Sequence, residues 1–88
     1  MSSFTVDKEY ALVTELYDDE NNYYMYMAMN IVDPDANGNY TQTATLTFKG
    51  YANALVYVDG VAQKVSLLNG VYTVTLNPGE AVYVIPYN

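Results

Sequence analysis

The sequence predicts an all-β fold, an antiparallel β-sandwich of seven or eight strands ending in a C-terminal meander. Two observations carry this. Apolar and polar residues alternate at a period of two in segment after segment, and turn signals recur roughly every 8–12 residues, with no helical period of useful length between them. The chain's 88 residues suffice for one domain, and no linker, repeat or low-complexity tract divides it.

The clearest stretch is Asn69–Pro86, NGVYTVTLNPGEAVYVIP. Asn69-Gly70 suits a type I′ hairpin, because Gly lacks a Cβ and Asn tolerates positive φ. Val71–Leu76 alternates, with Tyr72, Val74 and Leu76 on one side and Val71, Thr73 and Thr75 on the other. Asn77-Pro78-Gly79-Glu80 turns the chain, with Pro presetting φ and Gly accepting a positive value. Ala81–Ile85 returns as a strand, which Pro86 closes because it cannot donate to a ladder.

The earlier elements follow from the same signals. Residues 1–9 are polar, an edge strand or a lead-in. Tyr10–Tyr17 reads as a strand, with Leu12 and Leu16 opposite in parity to Glu15 and Tyr17; Asp18–Asn22 is a polar loop. Tyr23–Val32 is the longest apolar run, and its aromatics and flanking loops argue for a strand. Asp33–Asn39 is a loop dense in turn formers. Thr41–Phe48 alternates cleanly, placing Ala44, Leu46 and Phe48 inward and Thr43, Thr45 and Thr47 outward. Ala54–Val58 and Val61–Leu68 flank Asp59-Gly60, a second hairpin signal.

Composition excludes several functions. Ten acidic residues against three lysines, with no Arg, give a net charge of −7, unsuited to a phosphate backbone or an anionic membrane. No nucleic-acid partner and no membrane are therefore expected. No run approaches the ~20 apolar residues of a membrane-spanning helix, and MSSFTVDKEY lacks the layout of a signal peptide. Without His, Cys or Arg, the nucleophilic triads and His or thiolate metal sites are ruled out. A carboxylate pair for glycoside hydrolysis would have to come from Asp18, Asp19, Glu20, Asp33, Asp35 or Asp59, all in predicted turns. Exposed turns do not raise a carboxyl pKa as a catalytic acid needs, so no catalytic residue is assigned and the chain is not read as an enzyme.

Asp33, Asp35 and Asn37 match the first oxygen positions of an EF-hand loop, with Gly38 at the sixth. Ala44 stands where the bidentate Glu belongs, so turn chemistry explains this loop better than a cation site. No cofactor is expected.

Eleven tyrosines are the unusual entry in the composition. Most suit half-buried sheet positions. Three strands, however, are apolar on both faces. If Met25, Met27, Met29 and Ile31 point to the core, Tyr24, Tyr26 and Ala28 point out. Leu55 and Tyr57 then point out opposite Val56 and Val58, and Tyr83 and Ile85 opposite Val82 and Val84. An outer face of Tyr24, Tyr26, Leu55, Tyr57, Tyr83 and Ile85 is a contact surface, for a partner domain or for sugar rings.

The tail LLNGVYTVTLNPGEAVYVIPY, preceded by YYMYMAMN and TATLTF, resembles the small C-terminal β-sandwich domains of bacterial glycoside hydrolases. The strand ending in Asn (Met27–Asn30), the Thr-rich strand after it and the Leu76–Glu80 turn carry the resemblance, which covers residues 10–87. These motifs are structural. The resemblance implies a non-catalytic accessory domain packed on a neighbouring domain of a larger, secreted or cell-envelope enzyme, whose catalytic acids lie elsewhere. The alternative is a carbohydrate-binding module that uses surface tyrosines. Aliphatic Leu55 and Ile85, and the absence of Trp, favour the protein partner and leave at most weak carbohydrate binding.

Overall fold

The computed structural model describes residues 3–20, 23–35 and 37–88, which form eight strands and no helix. The strands are β1 Ser3–Val6, β2 Ala11–Asp18, β3 Tyr23–Asn30, β4 Gln42–Thr47, β5 Asn53–Val58, β6 Val61–Ser66, β7 Val71–Leu76 and β8 Ala81–Tyr87. They build a wide sheet of five strands, ordered β2-β3-β8-β5-β6, and a narrow sheet of three, ordered β1-β4-β7. All strand pairs are antiparallel. The antiparallel sandwich expected from the sequence is therefore the fold.

The core lies between the sheets. From the narrow sheet and its extensions come Leu46, Phe48 and Leu76, with Tyr72 and Val74 packed beside them. From the wide sheet come Tyr26, Ala28, Ala54, Val56, Val82 and Val84. The period-two alternation of β4 explains its contribution: Ala44, Leu46 and Phe48 have no exposed surface, while Thr43, Thr45 and Thr47 face away. On that outer face Thr43 meets Thr75 at 3.0 Å and Thr45 meets Thr73 at 3.4 Å through their hydroxyls, a solvated polar ladder.

The predicted turns are present, but two of them do something the sequence did not indicate. Asp59 and Gly60 have φ of 51° and 78°, and Asn69 and Gly70 of 55° and 76°, the double positive pattern of type I′ turns. Asp59-Gly60 joins β5 to β6 as a hairpin within the wide sheet. At Asn69-Gly70 only an isolated Leu68–Val71 bridge forms, and the chain passes from β6 in one sheet to β7 in the other. The Pro78-Gly79 turn carries it back, so β8 lies between β3 and β5. The four C-terminal strands are thus not a meander in one sheet. Turn chemistry sets local backbone geometry, whereas the sheet that each strand joins is decided by long-range pairing.

Gly70 has a second constraint. It is buried, and its carbonyl accepts the Phe48 N–H at 2.7 Å. A Cβ there would collide with the Phe48 carbonyl oxygen, whereas nothing lies within 4 Å of one at Gly60. Both glycines share the positive φ, so Ala substitutions separate strain from collision. Gly60→Ala should cost about 1–2 kcal/mol and Gly70→Ala more than about 3 kcal/mol by chemical denaturation.

Two fully buried polar side chains, Asn30 and Gln42, close one end of the sandwich. The Asn30 amide donates to the carbonyls of Tyr40 (2.7 Å) and Leu76 (3.0 Å), and its Oδ1 accepts the Val32 N–H at 3.1 Å. Its backbone carbonyl accepts the Gly79 N–H at 3.0 Å, and its N–H donates to the Glu80 carbonyl at 2.9 Å. Gln42 donates to Asp7 and to the Thr43 carbonyl, and accepts the Tyr10 N–H at 3.1 Å. Asn30→Leu keeps approximate volume but strands two buried carbonyls, and should cost about 2–5 kcal/mol in urea unfolding. Asn30→Leu within experimental error of the parent would show that those carbonyls find other donors.

Candidate functional site

The parity of β3 is the reverse of that expected. Tyr26 is 2% exposed and Ala28 and Asn30 are not exposed at all, so these residues face the core. Met25, Met27 and Met29 face out and are half-buried among neighbours. Hydrophobicity pointed the other way, because methionine is more apolar than tyrosine or asparagine. Packing and hydrogen bonding decide instead. Ala28, paired with Val82, is small enough to let the sheets approach; Asn30 finds its partners only on the inside; the Tyr26 phenol reaches Glu15, its cross-strand neighbour. Tyr26 is therefore a core residue and not a contact candidate. Ile31 lies beyond the end of β3 and is exposed.

The other strands have the expected parity. Val56, Val82 and Val84 are buried, and Leu55, Tyr57, Tyr83 and Ile85 lie on the outer face of the wide sheet. Strand register sets these residues in rows. Leu16 lies opposite Met25, and Ile85 opposite Leu55, along one line; Thr14, Met27, Tyr83 and Tyr57 form the next; Leu12, Met29 and Ala81 form a third. Only at β6 does the composition change, where Ala62 and Lys64 lie opposite Tyr57 and Leu55. From β2 to β5 the face is apolar but for Thr14, the Tyr hydroxyls and, at the strand ends, Asp18 of β2 and Asn53 of β5. A hollow of about 360 Å³ opens in it between Met25, Tyr57, Tyr83 and Ile85, with Tyr23 and Gly60 at its rim. Four members of the expected set are thus together, joined by Leu12, Leu16 and the three methionines, which sequence reasoning did not select.

Tyr24 lies elsewhere. It shares the inner-face parity of Tyr26 but is 46% exposed, because the narrow sheet does not extend over it. Phe48, just past the end of β4, packs on Tyr26 at 5.1 Å between ring centroids, and beyond it the inner face of β2 and β3 is uncovered. There a cleft of about 740 Å³ is lined by Glu15, Tyr17, Tyr24, Tyr26 and Tyr51, with Tyr23 and Pro86 at its edge. The rings form a ladder: Tyr17 to Tyr24 is 4.6 Å, and Tyr24 to Tyr26 is 6.4 Å at 23° between planes. Glu15 and Tyr17 share one parity of β2, which the alternation showed; that Tyr51 reaches them from a turn distant in sequence had no local signal.

In the Asp33–Asn39 loop, Asp33 accepts the Asp35 N–H at 2.9 Å, a plain Asx turn, and the surroundings are exposed. Among the described residues no three His, Cys, Asp or Glu gather as metal ligands. No protein family, curated protein or solved structure matches this chain.

Burial, and then the hydrogen bond and charge of Glu15, push the Tyr26 phenol well above its ordinary pKa of 10.0. The folded state therefore holds this proton more tightly than the unfolded chain does. Its contribution to stability is complete below that ordinary value and is lost as pH rises beyond it. Thermal melts should show Tyr26→Phe, though less stable at neutral pH, losing less than the parent between about pH 9 and pH 11. Equal alkaline losses in the two proteins would show that Tyr26 is not the group being ionised.

Proposed function

We propose that this chain is a non-catalytic accessory domain that packs against a neighbouring domain of a carbohydrate-active enzyme through the outer face of its wide sheet. The observation that carries the reading is the contrast between the two outer faces. That of the narrow sheet is built mainly from threonines, with Ser3 and Val71 at one end. That of the wide sheet presents Leu12, Leu16, Met25, Met27, Met29, Leu55, Tyr57, Tyr83 and Ile85. At a strand spacing of ~4.8 Å it spans on the order of 300 Å² in projection, the size at which an exposed apolar patch marks a contact. Unbranched methionines suit it further, since their side chains adapt to an irregular opposing surface. The enzyme context comes from the resemblance of the Leu67–Tyr87 tail and the strand ending at Asn30. The net charge of −7 keeps such a domain soluble before its face is covered.

In the natural polypeptide the domain and its neighbour should unfold in one calorimetric transition. Met27→Asp or Tyr83→Asp should split that transition in two while changing the melting of the domain alone by no more than about 1 kcal/mol. If the parent polypeptide already melts in independent steps, or if either substitution unfolds the domain itself, the docking reading fails.

A further inference from the structure

We propose that the tyrosine cleft at the uncovered end of the sandwich binds a methylated ammonium group, as in a choline-like or trimethylamine-bearing ligand. This site lies on the other side of the wide sheet from the docking face and does not depend on it. Its lining is one-sided in chemistry. Aromatic faces and a single carboxylate, Glu15, define it, and among the described residues no amide, lysine or arginine lines it. Lys49, on the same turn as Tyr51, lines a neighbouring hollow instead.

Each feature fits a poorly hydrated cation. The face of a tyrosine ring carries negative potential and attracts a cation within about 6 Å of its centre. Tyr17, Tyr24 and Tyr51 keep 48%, 46% and 40% of their surface exposed, so their rings are open to a ligand although they pack in a ladder. Glu15 supplies the formal charge at the wall, and it is held in place because the Tyr26 hydroxyl donates to it. Asp19 and Glu20, in the β2–β3 turn at the same end of the sheet, add to the negative potential and repel anions. A sugar would gain the stacking but would find, among the described lining residues, no amide or cationic donor for its hydroxyl oxygens. A trimethylammonium group donates no strong hydrogen bond and needs none.

Titrating the chain with choline chloride, at ionic strength matched by sodium chloride, while recording tyrosine ring resonances tests this. Choline should shift the Tyr17, Tyr24 and Tyr51 rings saturably. Its neutral carbon isostere, 3,3-dimethylbutan-1-ol, should bind at least about three-fold more weakly, because it keeps the shape and loses the charge. Tyr24→Leu and Glu15→Gln should each weaken choline binding by about three- to thirty-fold with the melting temperature retained. Equal binding of the neutral alcohol would overturn the proposal, since the cleft would then be merely apolar. So would the absence of saturation by about 50 mM choline. Maltohexaose shifting the same rings where choline does not would assign the cleft to sugar and likewise overturn it. Should Glu15→Gln fail to fold, the comparison of choline with its isostere on the parent chain decides alone.

Discussion

The buried amide of Asn30 holds together parts of this fold that are distant in sequence. Its side chain, without exposed surface, ties the end of β3 to the chain entering β4 and to the end of β7, and its backbone holds the turn into β8. A polar group so placed is costly unless its hydrogen bonds are made, and here they are. The consequence reaches beyond that end. Once Asn30 must point inward, Ala28 and Tyr26 point inward with it, and the methionines between them have only the outer face left. One amide thus sets which side of β3 is core, and through strand register it aligns the outer rows on β2 and β8.

The unequal widths of the sheets have their own consequence. The narrow sheet covers the inner face of the wide one from Asn30 to Tyr26 and ends at Phe48. Past that point β2 and β3 continue, and side chains of inward parity meet solvent instead of a second layer. Tyrosine suits such a boundary, because its ring packs on the next ring while its hydroxyl reaches water or, for Tyr26, a carboxylate. The ladder from Phe48 through Tyr26 and Tyr24 to Tyr17 is therefore a graded passage from core to surface. The cleft follows from the same mismatch.

Much of this was legible in the sequence because it is local. Asp59-Gly60, Asn69-Gly70 and Pro78-Gly79 mark turns through the backbone angles their residues tolerate, and those angles are observed. The alternation of Thr43 to Phe48 showed the inside of β4 because only one of its faces is apolar. β3 defeated the same reasoning. Both of its faces are apolar, and its parity rests on a hydrogen-bonded Asn and a small Ala whose partners lie on β2, β7, β8 and the segment before β4. The meander failed for a related reason: a type I′ turn at Asn69-Gly70 is equally compatible with a hairpin and with a step between sheets. What decides is where Val74 and Leu76 find their opposite numbers on β4, and no window around the turn contains that information.

The two candidate surfaces are linked through one strand. Met25, Met27 and Met29 of β3 serve the outer face, and Tyr24 and Tyr26 serve the cleft, so filling one surface does not cover the other. Tyr23, the first residue of β3, borders both. It sits where the sheet ends, so its ring is placed by whatever packs on either side. A domain pressed on the methionine rows would meet that ring from outside while a ligand among the tyrosines met it from within.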